Sequence, residues 1–573
     1  MIFTIGHNIC SPLGMTTAEN LAAVRRGVSS IKTYPHLWNL PEPVCASLFS
    51  DDQWAEMAME DCTPFESMVI ASATRALKDC AFDVAGKDVV LIVSTTKANV
   101  GQLDDPAKQD ACLFPGMAAK HIARRLGVTT QPVVVDDACV SGVAALITAT
   151  RLLEDGDYHY AIVCGADHQN RFIVSGFQSF KALSQEPCRP FDMERSGLNL
   201  GEAAATLILS TEPSATDHGW IIRQGAIRND AYHISAPSRQ GEGARRALLA
   251  ALDNSLASDE KGAADSDTLA VINAHGTATL FNDQMESKAI ERAGLSDTPV
   301  NGYKGYYGHT MGAAGILETI LTMAALDEHV ILGTKGYAER GVSGKIDVVA
   351  AERRTEKHAF VKMLSGFGGC NAAVLVDQKP SDDVSSLSSH TGESDRLEGG
   401  KVMRQRANVR LTPADGSLTS LYKKYIGDYP KFYKMDLLAK LGLVASEMLL
   451  REIGEDKPAD FRDDRAIVCF NRSASLHADR KYLETICDRD NFYPSPSLFV
   501  YTLPNIVTGE IAIRHHYLGE TSCYILPEKN TTLMQQLLHA TFRDPQTRSI
   551  LGGWIDAEDD DHYEVDLSLW ERA

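Results

Sequence analysis

The run Val133-Val-Val-Asp-Asp-Ala-Cys139-Val-Ser-Gly142 leads from β-branched residues through two acids to a cysteine, and a helical pattern continues to Leu153. This order predicts a buried strand, a tight turn and a helix, with Cys139 in the turn. A thiol at the positive end of a helix, beside unpaired backbone N–H groups, is favoured as the thiolate, its nucleophilic form. Ala138, Ser141 and Gly142 are small enough to let a substrate or another chain come close. Taken alone, the same residue is explained as a buried core cysteine.

Three further loops could do chemistry. Val271-Ile-Asn-Ala-His275-Gly276-Thr277-Ala-Thr279 delivers a histidine into a Gly/Thr turn, followed by Asn282, Asp283 and Glu286. Lys304-Gly-Tyr-Tyr-Gly308-His309-Thr-Met-Gly312-Ala-Ala-Gly315 sets a second histidine in a glycine-rich loop that opens a helix. Met363-Leu-Ser-Gly366-Phe367-Gly368-Gly369-Cys370-Asn371 is a glycine-rich turn before the strand Ala372–Val376. Each is weak singly, because a lone histidine is usually a hydrogen-bonded structural residue and a glycine cluster usually a turn. Their information lies in their order.

The elements that must position these loops alternate. A strand at Ile2–Ile5 leads into a loop from Gly6 to Gly14, and helices are expected at Ala18–Arg26, Ser67–Cys80 and Lys120–Leu126. Strands are expected at Asp88–Ser94 and Tyr160–Gly165. Such alternation predicts an α/β fold with a mostly parallel sheet covered on both faces, and sites in the loops that follow its strands. A chain of 573 residues is too long for one ordinary domain. Its net charge of −20 argues against nucleic acid and anionic membrane surfaces as partners. Twelve scattered cysteines without a Cys-x-x-Cys pair or a Cys/His cluster suit a reducing cytosol and no metal site. No segment has the length and apolarity of a membrane span or a signal peptide, so a cytoplasmic protein is expected.

In this order the motifs resemble those of a β-ketoacyl synthase of the thiolase-fold superfamily. The resemblance covers residues 1 to about 377. It includes Gly6-x-x-x-x-Ser11-Pro12-x-Gly14, Gly176–Ser184, Cys188-Arg-Pro-Phe-Asp192, Arg195-Ser-Gly197 and Gly201-Glu202. It implies a layered α-β-α-β-α fold with two mixed sheets. It also implies that Cys139 holds an acyl chain as a thioester, a covalent strategy that divides one hard step into two. His275 and His309 would stabilise the enolate formed when a malonyl thioester loses CO2. Cys139 and Phe367 inherit the backbone oxyanion hole, and Phe367 the acyl gate. Lys304 matches the family lysine and Glu286 its usual carboxylate partner. Histidine at both positions favours the chain-elongating type over starter synthases and degradative thiolases, and Cys370 is discounted as a thiolase-type second base. The implied partners are an acyl carrier protein, acyl and malonyl thioesters carried on phosphopantetheine, and a second synthase in a homodimer or heterodimer. No cofactor or metal is called for. Candidate basic pairs for an acidic carrier are Arg124-Arg125, Arg245-Arg246, Arg353-Arg354 and Lys423-Lys424, each read more readily as a solvated face.

Three departures bear on function. Asp137 replaces the usual Thr, so acids at 136 and 137 could oppose thiolate formation. Ser196 stands where the family often has Asp, and Asn99–Pro115 is short for a region that normally helps build the acyl tunnel. Beyond the synthase domain, 1–377, the range 378–408 reads as a flexible polar linker. Residues 409–573 then repeat the first half of the synthase. Leu437–Ile453 parallels Ser67–Cys80, Arg465–Phe470 parallels Asp88–Ser94, and Leu503–Arg514 parallels Phe114–Arg124. Leu533–Phe542 parallels the helix after Cys139, and Ser549–Asp556 parallels Tyr160–Asp167. The nucleophile position falls within Glu528-Lys-Asn-Thr531, which has no cysteine, and Cys523 lies too early, inside a strand. A catalytically dead half-synthase that docks on the nucleophile-half sheet is expected. The competing reading is a silent, chain-length-factor-like partner subunit.

Overall fold

The computed structural model describes residues 1–105, 112–213, 219–253, 268–378, 403–455, 460–488 and 491–573. Sixteen of its strands lie edge to edge in one sheet made of three consecutive blocks. The first block has the spatial order Val133–Val135, Val89–Ser94, Tyr160–Asp167, Ala203–Ser210, Ile2–Cys10. The second continues with Trp220–Asn229, Cys370–Gln378, Ala359–Ser365, Leu269–Asn273, Pro299–Asn301 and Asp347–Val348. The two meet through a short antiparallel pairing, Ile2 with Ile222 and Phe3 with Ile221. Parallel pairs are covered on both faces and buried, which is why Val89–Ser94 and Val133–Val135 are unbroken apolar runs.

The helices Ser141–Asp155 and Ala314–Asp327 form the layer inside the fold and are buried almost throughout. They cross at glycines. A Cβ on Gly315 would lie 2.4 Å from the Val143 nitrogen, and one on Gly142 would lie 2.9 Å from the Gly315 Cα. Only glycine permits that approach, and it brings the two helix starts, one after Cys139 and one after His309, face to face.

The third block is the predicted repeat. Its order, Thr521–Ile525, Arg465–Asn471, Ser549–Ala557, Tyr563–Arg572, Met403–Leu411, reproduces the first block strand for strand. The linker expectation is corrected at its end. Met403–Leu411 is the outermost strand, paired antiparallel with Tyr563–Arg572, and its exposed Arg404, Arg406 and Arg410 are the charges of a half-solvated edge. Residues 379–402 of the expected linker lie outside the described residues, as do 106–111 of the short segment. At the other end of the chain, Ile2–Cys10 is one strand through the stretch expected as a loop, since His7, Asn8 and Cys10 pair with Leu207, Thr206 and Ala204.

The third block joins the first edge to edge. Tyr524 and Ile525 pair antiparallel with Val135 and Val134. The edge through which a second synthase was expected to dock is therefore filled by the chain's own second module. Apolar residues of both modules, among them Val134, Ile122, Ile511 and Ile525, form one core cluster. Buried ion pairs cross the seam: Arg151 donates to both Glu520 oxygens at 3.0 and 2.8 Å, and Arg228 pairs with Asp544. Breaking a buried pair strands its remaining charge. Glu520→Gln is expected to cost about 3–5 kcal/mol of stability, read as a lowered denaturation midpoint. A loss below about 1 kcal/mol would show that the seam does not depend on the pair.

Candidate active site

Each expected residue comes from the end of a buried element. Cys139 sits in a one-turn helix, Ala138–Val140, between the strand Val133–Val135 and the helix Ser141–Asp155, with Ala138 held at φ 51°. Ser141 fastens the turn by donating to Ala138 O at 2.6 Å and accepting from Asp137 N–H at 2.8 Å. His275 follows the strand Leu269–Asn273, and His309 follows the short helix Lys304–Tyr307. The thiol sulfur and one nitrogen of each imidazole lie within 4.8 Å of one another. The two rings meet edge to face with centroids 5.0 Å apart. They line a cavity of about 410 Å³ together with Phe367, Thr277 and Thr279. A Cβ on Gly366 would lie 3.2 Å from the Cys139 nitrogen, so the Phe367 loop passes directly over the nucleophile.

The electrostatics fix protonation. Met311 N–H donates to His309 Nδ1 at 3.2 Å, which leaves the proton of the neutral ring on Nε2. Burial, then the Lys304 charge, hold both histidines well below their usual range, so both are neutral donors near pH 7. Burial pushes the Cys139 thiol up to about 12, against the opposing pull of Lys304. The direction is opposite to the thiolate expected at a helix start.

Two other expectations change. Glu286 does not pair with Lys304; its oxygens accept the N–H groups of His275 at 2.7 Å and Gly276 at 2.8 Å, clamping the histidine turn. The partner of Lys304 is Glu318, at 2.8 Å. The acids before Cys139 do not face the thiol either. Asp137 accepts Cys523 N–H at 2.8 Å across the seam, and Asp136 lines a separate small pocket with Lys97 and Asp479. The acid whose charge does act on Cys139 is Asp167. Cys370, discounted as a second base, contacts Thr521 at 3.5 Å.

Sequence reasoning missed Glu318 and Lys362, the second ammonium on that carboxylate. Their signal was present: an acid in the interior of the apolar helix Ala314–Asp327 and one lysine in the apolar strand Ala359–Ser365, where charges are rarely buried unpaired. It also missed the second module's reach into the site. Asn505 Nδ2 donates to Phe367 O at 2.9 Å, and a Cβ on Gly509 would lie 2.6 Å from Gly368 O. Phe499 packs on the Gly176 backbone and meets Phe177 at 5.7 Å, while Phe177 stacks with Phe367 at 6.5 Å. No sequence signal marks these long-range contacts.

The comparisons decide the family. The profile described as Beta-ketoacyl synthase, N-terminal domain, matches residues 2–215, and Beta-ketoacyl synthase, C-terminal domain, matches residues 220–337. The chain belongs to the β-ketoacyl synthase family. This synthase is 28% identical over 416 residues to 3-oxoacyl-(acyl-carrier-protein) synthase 2 of Rhizobium meliloti, covering 65% of this chain and 97% of that one. It is 26% identical over 412 residues to the same-named protein of Vibrio cholerae, covering 65% and 98%. The ishigamide ketosynthase/chain length factor structure shares the fold over 66% of this chain and 99% of its own, at 24% identity and TM-score 0.60. The PfaC keto synthase–chain length factor structure matches all of this chain and 78% of its own, at 13% identity and TM-score 0.77. Both modules of this synthase thus have a structural counterpart. Among the described residues, no helix is long and apolar enough to cross a membrane.

Alkylation of Cys139 by iodoacetamide, followed at the peptide level, is expected to rise about tenfold per pH unit between about pH 7 and pH 9. A plateau below about pH 8 would mean a preformed thiolate.

Proposed function

We propose that this synthase elongates an acyl chain held on Cys139 by decarboxylative condensation with a malonyl thioester on an acyl carrier protein. The observation that carries this is the convergence of one thiol and two neutral imidazoles within 4.8 Å in one cavity. In the first half-reaction the Cys139 thiol displaces the carrier thiol from an acyl thioester, and the proton passes to the departing thiol. In the second, the malonyl carbonyl accepts hydrogen bonds from His275 and His309. Loss of CO2 leaves its electron pair as an enolate, which the two donors stabilise. The enolate carbon attacks the acyl carbonyl beneath the backbone N–H groups of Cys139 and Phe367. Collapse releases a β-ketoacyl carrier thioester and the Cys139 sulfur, which regains a proton. Lys304 keeps both imidazoles neutral, and Glu286 holds the His275 turn. Condensation of this kind calls for no metal or cofactor, the substrates arriving as phosphopantetheine thioesters. A cytosolic setting fits its reduced thiols.

The second module sets the length of the chain. The aromatic series Phe367, Phe177, Phe499 and Tyr482 runs from the gate above Cys139 into the second module, so truncating Phe499 would open space behind the gate. A specialised polyketide or polyene-type pathway suits an enzyme with its own length-setting half. The silent-subunit reading would expect a lost nucleophile or histidine, and Cys139, His275 and His309 are all present and assembled.

Intact-mass analysis after incubation with an acyl donor is expected to show one acyl adduct in wild type and none in Cys139→Ala. Malonyl carrier protein should consume the adduct; an adduct that persists, or that forms without Cys139, would overturn the condensing mechanism. Phe499→Ala is expected to shift products to longer chains at a similar rate of acylation, and an unchanged product profile would remove Phe499 from length control.

A further inference from the structure

We infer that Lys362 is a positioning residue of the active site, joining the two histidine loops through one carboxylate and supplying a positive charge that both imidazoles feel. The inference rests on the decarboxylating reading of the site.

Lys362 stands in the strand Ala359–Ser365 and is fully buried, as is Lys304. A buried ammonium must place three N–H donors. Those of Lys362 go to Glu318, to Asn273 Oδ1 at 2.7 Å and to Ala274 O at 3.1 Å. Asn273 and Ala274 are the two residues before His275. Glu318, the shared acceptor, holds Lys304 at 2.8 Å, and Lys304 opens the helix that leads to His309. One carboxylate between two ammoniums therefore ties the backbone that presents His275 to the element that presents His309. Asn273 extends the tie, donating to Asn301 Oδ1 at 2.8 Å on the adjoining strand Pro299–Asn301.

Packing alone does not call for this arrangement, since well-packed apolar residues often replace a buried ion triad without loss of stability. Its distinctive product is charge. His275 is faced by Lys304, Lys362 and His309, with the Glu286 carboxylate on its backbone side. His309 is faced by Lys304, Lys362, His275 and Cys139. Among these groups the two lysines are the cations; burial lowers the Lys362 ammonium to about 8, so its charge is present near pH 7 and fades as the pH rises past 8. Removing it takes one positive charge from beside both rings, whatever the state of Glu286. Each imidazole then protonates more readily, and a protonated ring at His309 loses its Nδ1 acceptor for Met311 N–H. The direction is fixed: the pH at which the rings titrate moves up, and the acid limb of decarboxylation moves up with it.

The test uses the full chain with 15N-labelled histidine, the signals of His275 and His309 being assigned by their loss in His275→Gln and His309→Gln. Lys362→Met removes the charge at similar volume. Lys362→Gln removes it while keeping a donor for the Asn273 and Ala274 carbonyls, so that one folded variant is available if the other is unstable. In both, the two imidazoles are expected to titrate about one pH unit higher than in wild type. Malonyl decarboxylation is expected to fall on the order of 10–100-fold, in kcat more than in KM, with the acid limb displaced upward. Imidazoles that titrate where the wild-type ones do would overturn the inference, even with turnover lowered, because a merely structural lysine leaves ring protonation alone. If the rings shift but wild type never decarboxylates a malonyl thioester, the role of Lys362 stands and the decarboxylating reading fails.

Discussion

The contact between Gly142 and Gly315 is the constraint from which the site follows. Two buried helices cross there with no side chain between them, so the residues just before each helix, Cys139 and His309, are carried into the same small volume. The loops are then locked from below by Asp167, which accepts Gly312 N–H at 2.8 Å and Thr95 Oγ1 at 2.7 Å. Interiors packed at crystal density transmit such placement without slack. A larger residue at either glycine would separate the thiol from the imidazole before it disturbed any sheet.

Burial then decides the chemistry. With the charged forms of Cys139, His275 and His309 penalised by desolvation, the site is a set of neutral groups beside a tightly paired cluster of Lys304, Lys362 and Glu318. Neutral imidazoles donate hydrogen bonds to charge that develops on a substrate and need no reorganisation to do so. That suits the enolate stabilisation proposed for the two histidines.

The second module changes how the site is completed. Sheet edges are sticky and must be paired or protected, and here the edge strand Val133–Val135 is paired within the same chain. A tethered partner is present at an effective concentration far above that of a free one. The module has no cysteine between its strand Thr521–Ile525 and its helix Thr531–Thr541, but it supplies the hydrogen bond to the Phe367 carbonyl, the acceptor-seeking backbone of Cys523 that Asp137 satisfies, and the ring that closes the aromatic series. The acid two places before Cys139, unexpected in a free-standing synthase, is explained by that seam.

Much of this was legible in the sequence. Apolar runs, glycine turns and the spacing of Cys139, His275, His309 and Phe367 are local features, and local periodicity and turn chemistry encode them directly. The internal repeat was legible for the same reason, because a repeated strand-helix pattern needs no knowledge of contacts. Its first strand, Met403–Leu411, was lost to the linker because an edge strand with a solvated face reads as polar chain. What only the tertiary structure decided is which buried charge meets which. Glu286 and Glu318 flank Lys304 at similar distances in sequence, yet Glu318 is the carboxylate that both ammoniums share. Asp137 points to Cys523 and Phe499 to Gly176 across hundreds of residues. Partners of buried polar groups are chosen by the desolvation penalty at their final positions, and those positions exist only once the helices and sheet edges have packed.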